Sequence, residues 1–270
     1  NGIWSEMKHY ENALENSKAF NHRIRDRIVE LSVSLEHAES DQEFQDIVTE
    51  FYKEFGVGKF GLNKAFHIIM DEEAKQVDIE PITRVEHIKL NDLVGYELQK
   101  AKLIENTEAF IEGRAANNCL LFGDSGTGKS SSIKAILNQY YDRGLRMIEV
   151  YKHQFRGLSD VLEQIKDRNY KFIIYMDDLS FEEYELEYKY LKAIIEGGLG
   201  IKPQNVLIYA TSNRRHLIKE SWNDRNDQDN SNDRHHSDTV EEKLSLVNRF
   251  GVTINYSKPT QKEYFDIVVN

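Results

Sequence analysis

Apolar positions in the first part of the chain recur at helical spacing. Ile24, Ile28, Leu31 and Leu35 form one series, and Phe44, Ile47, Val48, Phe51 and Tyr52 another, with charged residues on the opposite faces. The pattern predicts helix from Ile3 to about Phe55. Gly56-Val57-Gly58-Lys59-Phe60-Gly61 interrupts it. A turn between helices suits these glycines better than a nucleotide loop, because Gly61 comes too early for G-x-G-x-x-G and no strand leads in. A polar run, Asp71 to Gln76, then leads to Pro81, which places a domain boundary between about 71 and 90. Residues 1–88 are expected to form an N-terminal helical region and residues 89–270 a second domain.

Beyond Leu93 the pattern changes. Tyr96 to Ile111 reads as a helix ended by Gly113. Short apolar runs then alternate with helical periodicity, predicting strands over 118–122, 146–151, 172–176, 206–210 and 252–256. Helices are predicted over 131–141, 158–167, 182–195 and 240–247, and from Gln261 onward. Such runs suit strands buried on both faces, so the expected fold is α/β, a parallel sheet covered by helices. Ser221 to Asp238, rich in Asn, Asp, Ser, Arg and His, reads as a solvated loop. His235 and His236, with Asp233 and Asp238, lack a fixed ligand spacing, and the loop reading is preferred to a metal site.

Composition narrows the class. The chain has 270 residues, enough for one large or two modest domains, and 40% apolar residues give it material for a core. No run of 18 apolar residues occurs, so no membrane span is expected, and the first residues lack a secretory signal. They also lack an initiating Met, so the chain is expected to begin inside a longer protein or after a tag remnant. The single cysteine, Cys119, excludes an intrachain disulfide, reads as a small buried filler and suits a reducing cytoplasm. A net charge of −11 argues against non-specific coating of duplex DNA.

Chemistry enters at Gly123-Asp124-Ser125-Gly126-Thr127-Gly128-Lys129-Ser130, which fits G-x-x-x-x-G-K-[ST], the phosphate-binding loop of nucleoside-triphosphatases. Small residues let backbone N–H groups wrap a polyphosphate. Lys129 is then placed to neutralise the outer phosphates and Ser130 to ligate Mg²⁺. The strand before the loop and the helix after it, entered through Ser131, supply the required context and a helix dipole. Fifty residues on, the apolar strand Phe172 to Met176 delivers Asp177 and Asp178 at its end. The first acid is read as a Mg²⁺ residue and the second as the group that polarises the attacking water. Asn213, in Ala210-Thr211-Ser212-Asn213 at the end of the next strand, is placed to orient that water. Arg249, in Leu246-Val247-Asn248-Arg249-Phe250-Gly251, is either a helix-dipole partner or a finger donated to a neighbouring subunit's nucleotide.

In this order and spacing the four motifs resemble the AAA+ ATPase superfamily. Asp177 to Glu182, Thr211 to Leu217 and Glu241 to Leu246 are similar, more narrowly, to the bacterial family of predicted AAA+ ATPases called DUF815, over about Leu90 to the end. The resemblance implies a five-stranded sheet, a ring or arc of identical subunits with Arg249 acting in trans, and ATP rather than GTP. It places the adenine at Leu93-Val94-Gly95-Tyr96 and the small helical lid, with its second sensor arginine, after Asn270. Two positions depart from the commoner pattern. Asp178 stands where most AAA+ motors have Glu, as in the helicase-loader and initiator-like branch. The shorter side chain holds its carboxylate about 1.5 Å further from the water, so slow turnover is expected. Asp124 stands where many relatives have Pro, an exposed position where this departure is expected to be tolerated.

The expected function is therefore a Mg²⁺-dependent ATPase that remodels or loads an unidentified partner. The alternative is a nucleotide-gated switch, or a helicase-loader-like factor with little hydrolysis. A small-molecule kinase needs neither the Asn213 strand end nor the Arg249 corner. Phe155 is expected to pack under the following helix rather than line a pore. With Arg214-Arg215-His216, its loop Lys152 to Gly157 is the one weak nucleic-acid candidate.

Overall fold

The computed structural model describes residues 22–55, 58–71, 76–181, 187–196, 203–213, 246–261 and 265. The chain divides into two compact units, Asn1–Ala65 with Pro81–Glu86, and Phe66–Glu80 with His87–Asn270. The predicted loop over 221–238, the His235–His236 pair and Arg214-Arg215-His216 lie outside the described residues, as do parts of the helices predicted before residue 22, over 182–195 and 240–247, and after 261.

In the first unit, helices α1 (His22–Glu36) and α2 (Asp41–Phe55) are followed by the short α3 (Lys59–Leu62). A serine and a glutamate three residues apart start α2. Ser40 Oγ accepts from the Glu43 N–H at 3.2 Å, and the Glu43 carboxylate accepts from the Glu39 N–H at 2.9 Å, so donors with no partner inside the helix are satisfied.

The second unit is built on a seven-stranded sheet: β1 (Ala65–Asp71), β2 (Gln76–Pro81), β3 (Cys119–Gly123), β4 (Leu145–Glu149), β5 (Lys171–Met176), β6 (Val206–Ser212) and β7 (Val252–Tyr256), in the order β2-β1-β4-β5-β6-β3-β7. The β4–β5, β5–β6, β6–β3 and β3–β7 pairs are all parallel. Phe172 to Met176 and all seven residues of β6 are buried, as their apolar runs predict. Helices α4 (Glu97–Ile111), α5 (Lys129–Tyr140), α6 (Leu158–Ile165) and α7 (Glu187–Glu196) complete the alternation.

The sheet therefore has two strands more than the five expected, and the stretch expected to be helical and then a linker contains β1 and β2. Val77 and Ile79 are buried while Asp78 and the other alternate positions are exposed, a two-residue period that spans only six residues. The polar run between the two strands reads as a boundary because it is a connection. Gln154 and Gln164 cover the hairpin, donating to the carbonyls of Ile68 (2.9 Å) and Val77 (2.7 Å).

Parallel pairing sets the functional end. Cys119 lies opposite Tyr209 and Val252, so β3 runs between β6 and β7, and its carboxyl end opens beside the carboxyl ends of both. The loop after β3 leads into α5, whose Ile133, Ile136 and Leu137 are fully buried. Ligands of open α/β sheets bind at this edge, outside the carboxyl ends of the strands.

Candidate nucleotide site

The phosphate loop begins under a steric constraint. Gly123 has φ 137°, and a Cβ there would lie 2.2 Å from the carbonyl oxygen of Tyr256, its partner across the β3–β7 register. Only glycine fits. The next N–H, of Asp124, donates to that same carbonyl at 3.0 Å. The Asp124 carboxylate accepts from the Lys258 N–H at 2.8 Å, which ties the loop to the chain leaving β7. Asp124 is thus a fastening point. Thr127 Oγ1 donates to the Asp124 carbonyl at 2.8 Å, and Gly128, left-handed at φ 86°, caps α5.

Lys129 is only 6% exposed. Its ammonium donates to the carbonyls of Gly123 (3.1 Å) and Asp124 (2.5 Å) and to Asn213 Oδ1 (3.0 Å). Burial pulls its pKa down, against the pull of Asp178, Asp124 and Asp177. Ser130 Oγ donates to Asp177 Oδ1 at 2.7 Å, and Thr211 Oγ1 donates to the same oxygen at 2.5 Å. Burial pushes the Asp177 carboxyl up, but the hydrogen bonds from Thr211 and Ser130, with the neighbouring Tyr175 hydroxyl and Asp178 N–H, outweigh it. The group is held below the usual carboxylate range.

Asp178 adopts a left-handed backbone at φ 48°. Its N–H donates to Thr211 Oγ1 at 2.9 Å, and the Leu179 N–H donates to the Thr211 carbonyl at 2.7 Å. Asp tolerates this region better than longer side chains, because its short polar group bonds locally. The backbone thus gives a physical reason for Asp rather than Glu here. Asn213 joins the two halves of the site, accepting from Lys129 at 3.0 Å and donating from Nδ2 to Asp178 Oδ1 at 2.8 Å. The reverse amide orientation would set an NH₂ against an ammonium and a carbonyl against a carboxylate, so the network fixes it.

Lys129, Ser130, Asp177, Asp178 and Asn213 therefore converge. Arg249 does not join them. It is exposed and precedes β7, whose first residue pairs with Cys119 and whose last pairs with Gly123. Val252 to Tyr256 alone spans about 13 Å of strand. Phe155 is 1% exposed, with its ring 6.3 Å from that of Phe181, and is a core residue as expected. Cys119 is fully buried, and burial pushes its thiol far up, which fits a filler rather than a nucleophile.

Of Leu93 to Tyr96, Tyr96 lies against the end of β7 and the chain that leaves it. Lys100 on α4 donates to the Leu93 carbonyl at 2.8 Å. The Tyr96 ring stacks on Tyr256 (centroids 5.1 Å apart) and its hydroxyl donates to the Ser257 carbonyl at 2.9 Å. Between Gly95–Gln99 and Ser257–Pro259 lies a cavity of about 350 Å³. Hollows of about 430 and 480 Å³, lined by Phe110 and Lys171 and by Lys102 and Gly251, contain none of the converging groups.

Sequence reasoning gave no role to Thr211 or Tyr175. Thr211 is 1% exposed and serves both acids at once. Tyr175 is 3% exposed, and its hydroxyl lies beside Ser130 and Asp177 without a hydrogen bond of ordinary geometry. Such a buried, unpaired group costs about 1–3 kcal/mol. For Mg²⁺, the donors fit. Two hard oxygens 2.7 Å apart, one on a carboxylate kept ionised, suit a small cation that takes its remaining ligands from water and phosphate. Among the described residues no cluster of three or more His, Cys, Asp or Glu could hold a metal without such help.

A phosphate loop after β3, an amide at the end of the adjacent β6 and two acids at the end of β5 beyond it form the arrangement of a P-loop nucleoside-triphosphatase fold of the AAA+ type. The chain belongs to the family described as protein of unknown function (DUF815), whose model matches residues 63–270. No curated protein matches the sequence. Among solved structures, the RuvB Holliday junction branch migration motor of Thermotoga maritima is similar at 18% identity, covering 68% of this chain and 52% of that one, with a TM-score of 0.42. DnaI is similar at 18% identity, covering 74% of this chain and 97% of that one, with a TM-score of 0.44. The chain thus spans about half the length of the RuvB motor. Among the described residues no helix is long and apolar enough to cross a membrane.

Proposed function

We propose that this chain binds ATP with Mg²⁺ in the Gly123–Ser130 loop and hydrolyses it slowly, coupling the cycle to the remodelling or loading of a macromolecular partner. The observation that carries this reading is the Lys129–Asn213–Asp178 relay. One amide holds both the cation suited to the outer phosphates and the carboxylate suited to the attacking water. When ATP enters, Lys129 exchanges the Gly123 and Asp124 carbonyls for phosphate oxygens, and the loop N–H groups close on the β-phosphate. Mg²⁺, held by Ser130 and Asp177, would supply further neutralisation of phosphate charge. Asp178 orients the water and accepts its proton, while Asn213 fixes the carboxylate. The segment Leu93, Val94, Gly95 and Tyr96, whose last two residues line the cavity beside Ser257–Pro259, takes the adenine.

Arg249 serves the nucleotide of a neighbouring copy in a homo-oligomer. Its exposure and its place beyond the far end of β7 from the loop support this. Arg249→Ala should then keep ATP affinity and lose the turnover that rises with protein concentration. Equal loss at all concentrations would contradict it. The lone buried thiol of Cys119 fits the reducing cytoplasm.

A second reading, a nucleotide-gated switch or helicase-loader-like factor, is favoured by the short, left-handed Asp178. Turnover and ATP binding in the wild type and Asp178→Ala separate the two. The enzyme reading expects wild-type turnover that Asp178→Ala abolishes while still binding ATP. Binding by both with turnover by neither, with or without partner, leaves the switch.

A further inference from the structure

Tyr175 is the last residue but one of β5, two before Asp177 just past the strand's end, so the alternation of the strand sends both side chains toward the same face. Every other residue of that strand from Phe172 to Met176 is an apolar core residue, and a phenylalanine would fill the same space. The phenol instead brings a hydroxyl into the core beside Ser130 and Asp177, close enough to act on the Asp177 carboxyl but without a hydrogen bond of ordinary geometry to any described residue. A buried donor without a well-formed hydrogen bond opposes folding, so its presence calls for a ligand that pairs with it better. The surroundings indicate which ligand. The nearest polar groups are the hydroxyl and carboxylate that form the cation site, already bonded to each other. Across the β4–β5 register Tyr175 faces Glu149, whose carboxylate accepts from the Tyr151 hydroxyl at 3.1 Å, so this side of the site is lined with oxygen.

We propose that the Tyr175 hydroxyl is an outer-sphere residue of the Mg²⁺ site, hydrogen-bonding to the hydration shell of the cation that Ser130 and Asp177 hold. The inference rests on the ATP·Mg²⁺ reading above and deepens it. Mg²⁺ gives up its waters reluctantly, so protein groups that grip those waters contribute to holding it. Partners beyond the ligands themselves change metal affinity by about tenfold or more. Tyr175 is a positioning residue in this sense and touches no phosphate.

The test is Tyr175→Phe in the full chain, which removes one oxygen and leaves the packing. Affinity for a fluorescent ATP analogue is measured with EDTA and again with Mg²⁺, and the nucleotide-free protein is melted. The expected result is unchanged affinity in EDTA, a Mg²⁺-dependent gain about tenfold smaller than in the wild type, and a melting temperature equal or higher. A full Mg²⁺ gain in the variant overturns the proposal, as does an equal loss with and without Mg²⁺. A wild type that binds no analogue, or gains nothing from Mg²⁺, overturns the ATP·Mg²⁺ reading as well, so the two failures are told apart.

Discussion

Thr211→Val tests the geometry of the site without touching a group that meets nucleotide. Valine keeps the shape of threonine and removes the oxygen that donates to Asp177 and accepts from the Asp178 N–H. The bond to Asp177 is charge-assisted, but that residue is exposed, so its loss is put at the low end, about 1.5 kcal/mol. The Asp178 N–H, part-buried, loses its partner for about 1 kcal/mol more. The sum, about 2.5 kcal/mol, lowers the melting temperature of a unit of about 200 residues by roughly 5–10 °C. Thr211→Ser keeps both bonds, loses one buried methyl worth about 1 kcal/mol, and should fall in between. The effect also has a pH signature. Asp177 is held below its unfolded pKa, so its contribution is present above about pH 4 and is lost as pH falls through the lower folded value. Valine removes one cause of the depression, so the gap between variant and wild type should narrow in acid. Thermal unfolding by circular dichroism at pH 7 and at pH 3–4 measures both. A Thr211→Val protein that melts within about 2 °C of wild type at pH 7 would refute the reasoning.

Gly123→Ala forces a Cβ to within 2.2 Å of the Tyr256 carbonyl oxygen at φ 137°, so a loss of about 2–4 kcal/mol in chemical denaturation is expected. Asp124→Ala should cost about 0.5–1.5 kcal/mol by the same measurement, through the lost Lys258 bond, whereas Asp124→Asn keeps an acceptor and stays near wild type. Burial pushes the hydroxyls of Tyr140 and Tyr256 to about 12. Their folded values lie above the unfolded value of about 10, so stability should hold below pH 10 and fall between pH 10 and 12, as read by circular dichroism across that range.

The five parallel strands were legible because runs such as Phe172 to Met176 and Val206 to Ala210 have no polar position to contradict them. The hairpin was not. Its second strand announces itself through only Val77 and Ile79, and the polar connection imitates a linker. At the site, motif spacing singled out Lys129, Ser130, Asp177, Asp178 and Asn213, which the parallel strands bring together. It passed over Tyr175, which inside an apolar run reads as core. It also passed over Thr211, whose role depends on β5 and β6 lying side by side. Asp124 and Lys258 are far apart in sequence, and only the β3–β7 pairing brings them together. The left-handed turn at Asp178 has no signature beyond the residue itself, yet it accounts for the short acid.

The central claim is that the Gly123–Ser130 loop holds ATP through Lys129. Equilibrium titration of the wild type and Lys129→Met with a fluorescent ATP analogue in Mg²⁺ tests it most directly. The expected result is saturation at one nucleotide per chain in the wild type and an affinity at least about tenfold weaker in the variant, the loss of one charge-assisted contact. No saturation in the wild type, or equal affinity in the two proteins, would contradict it.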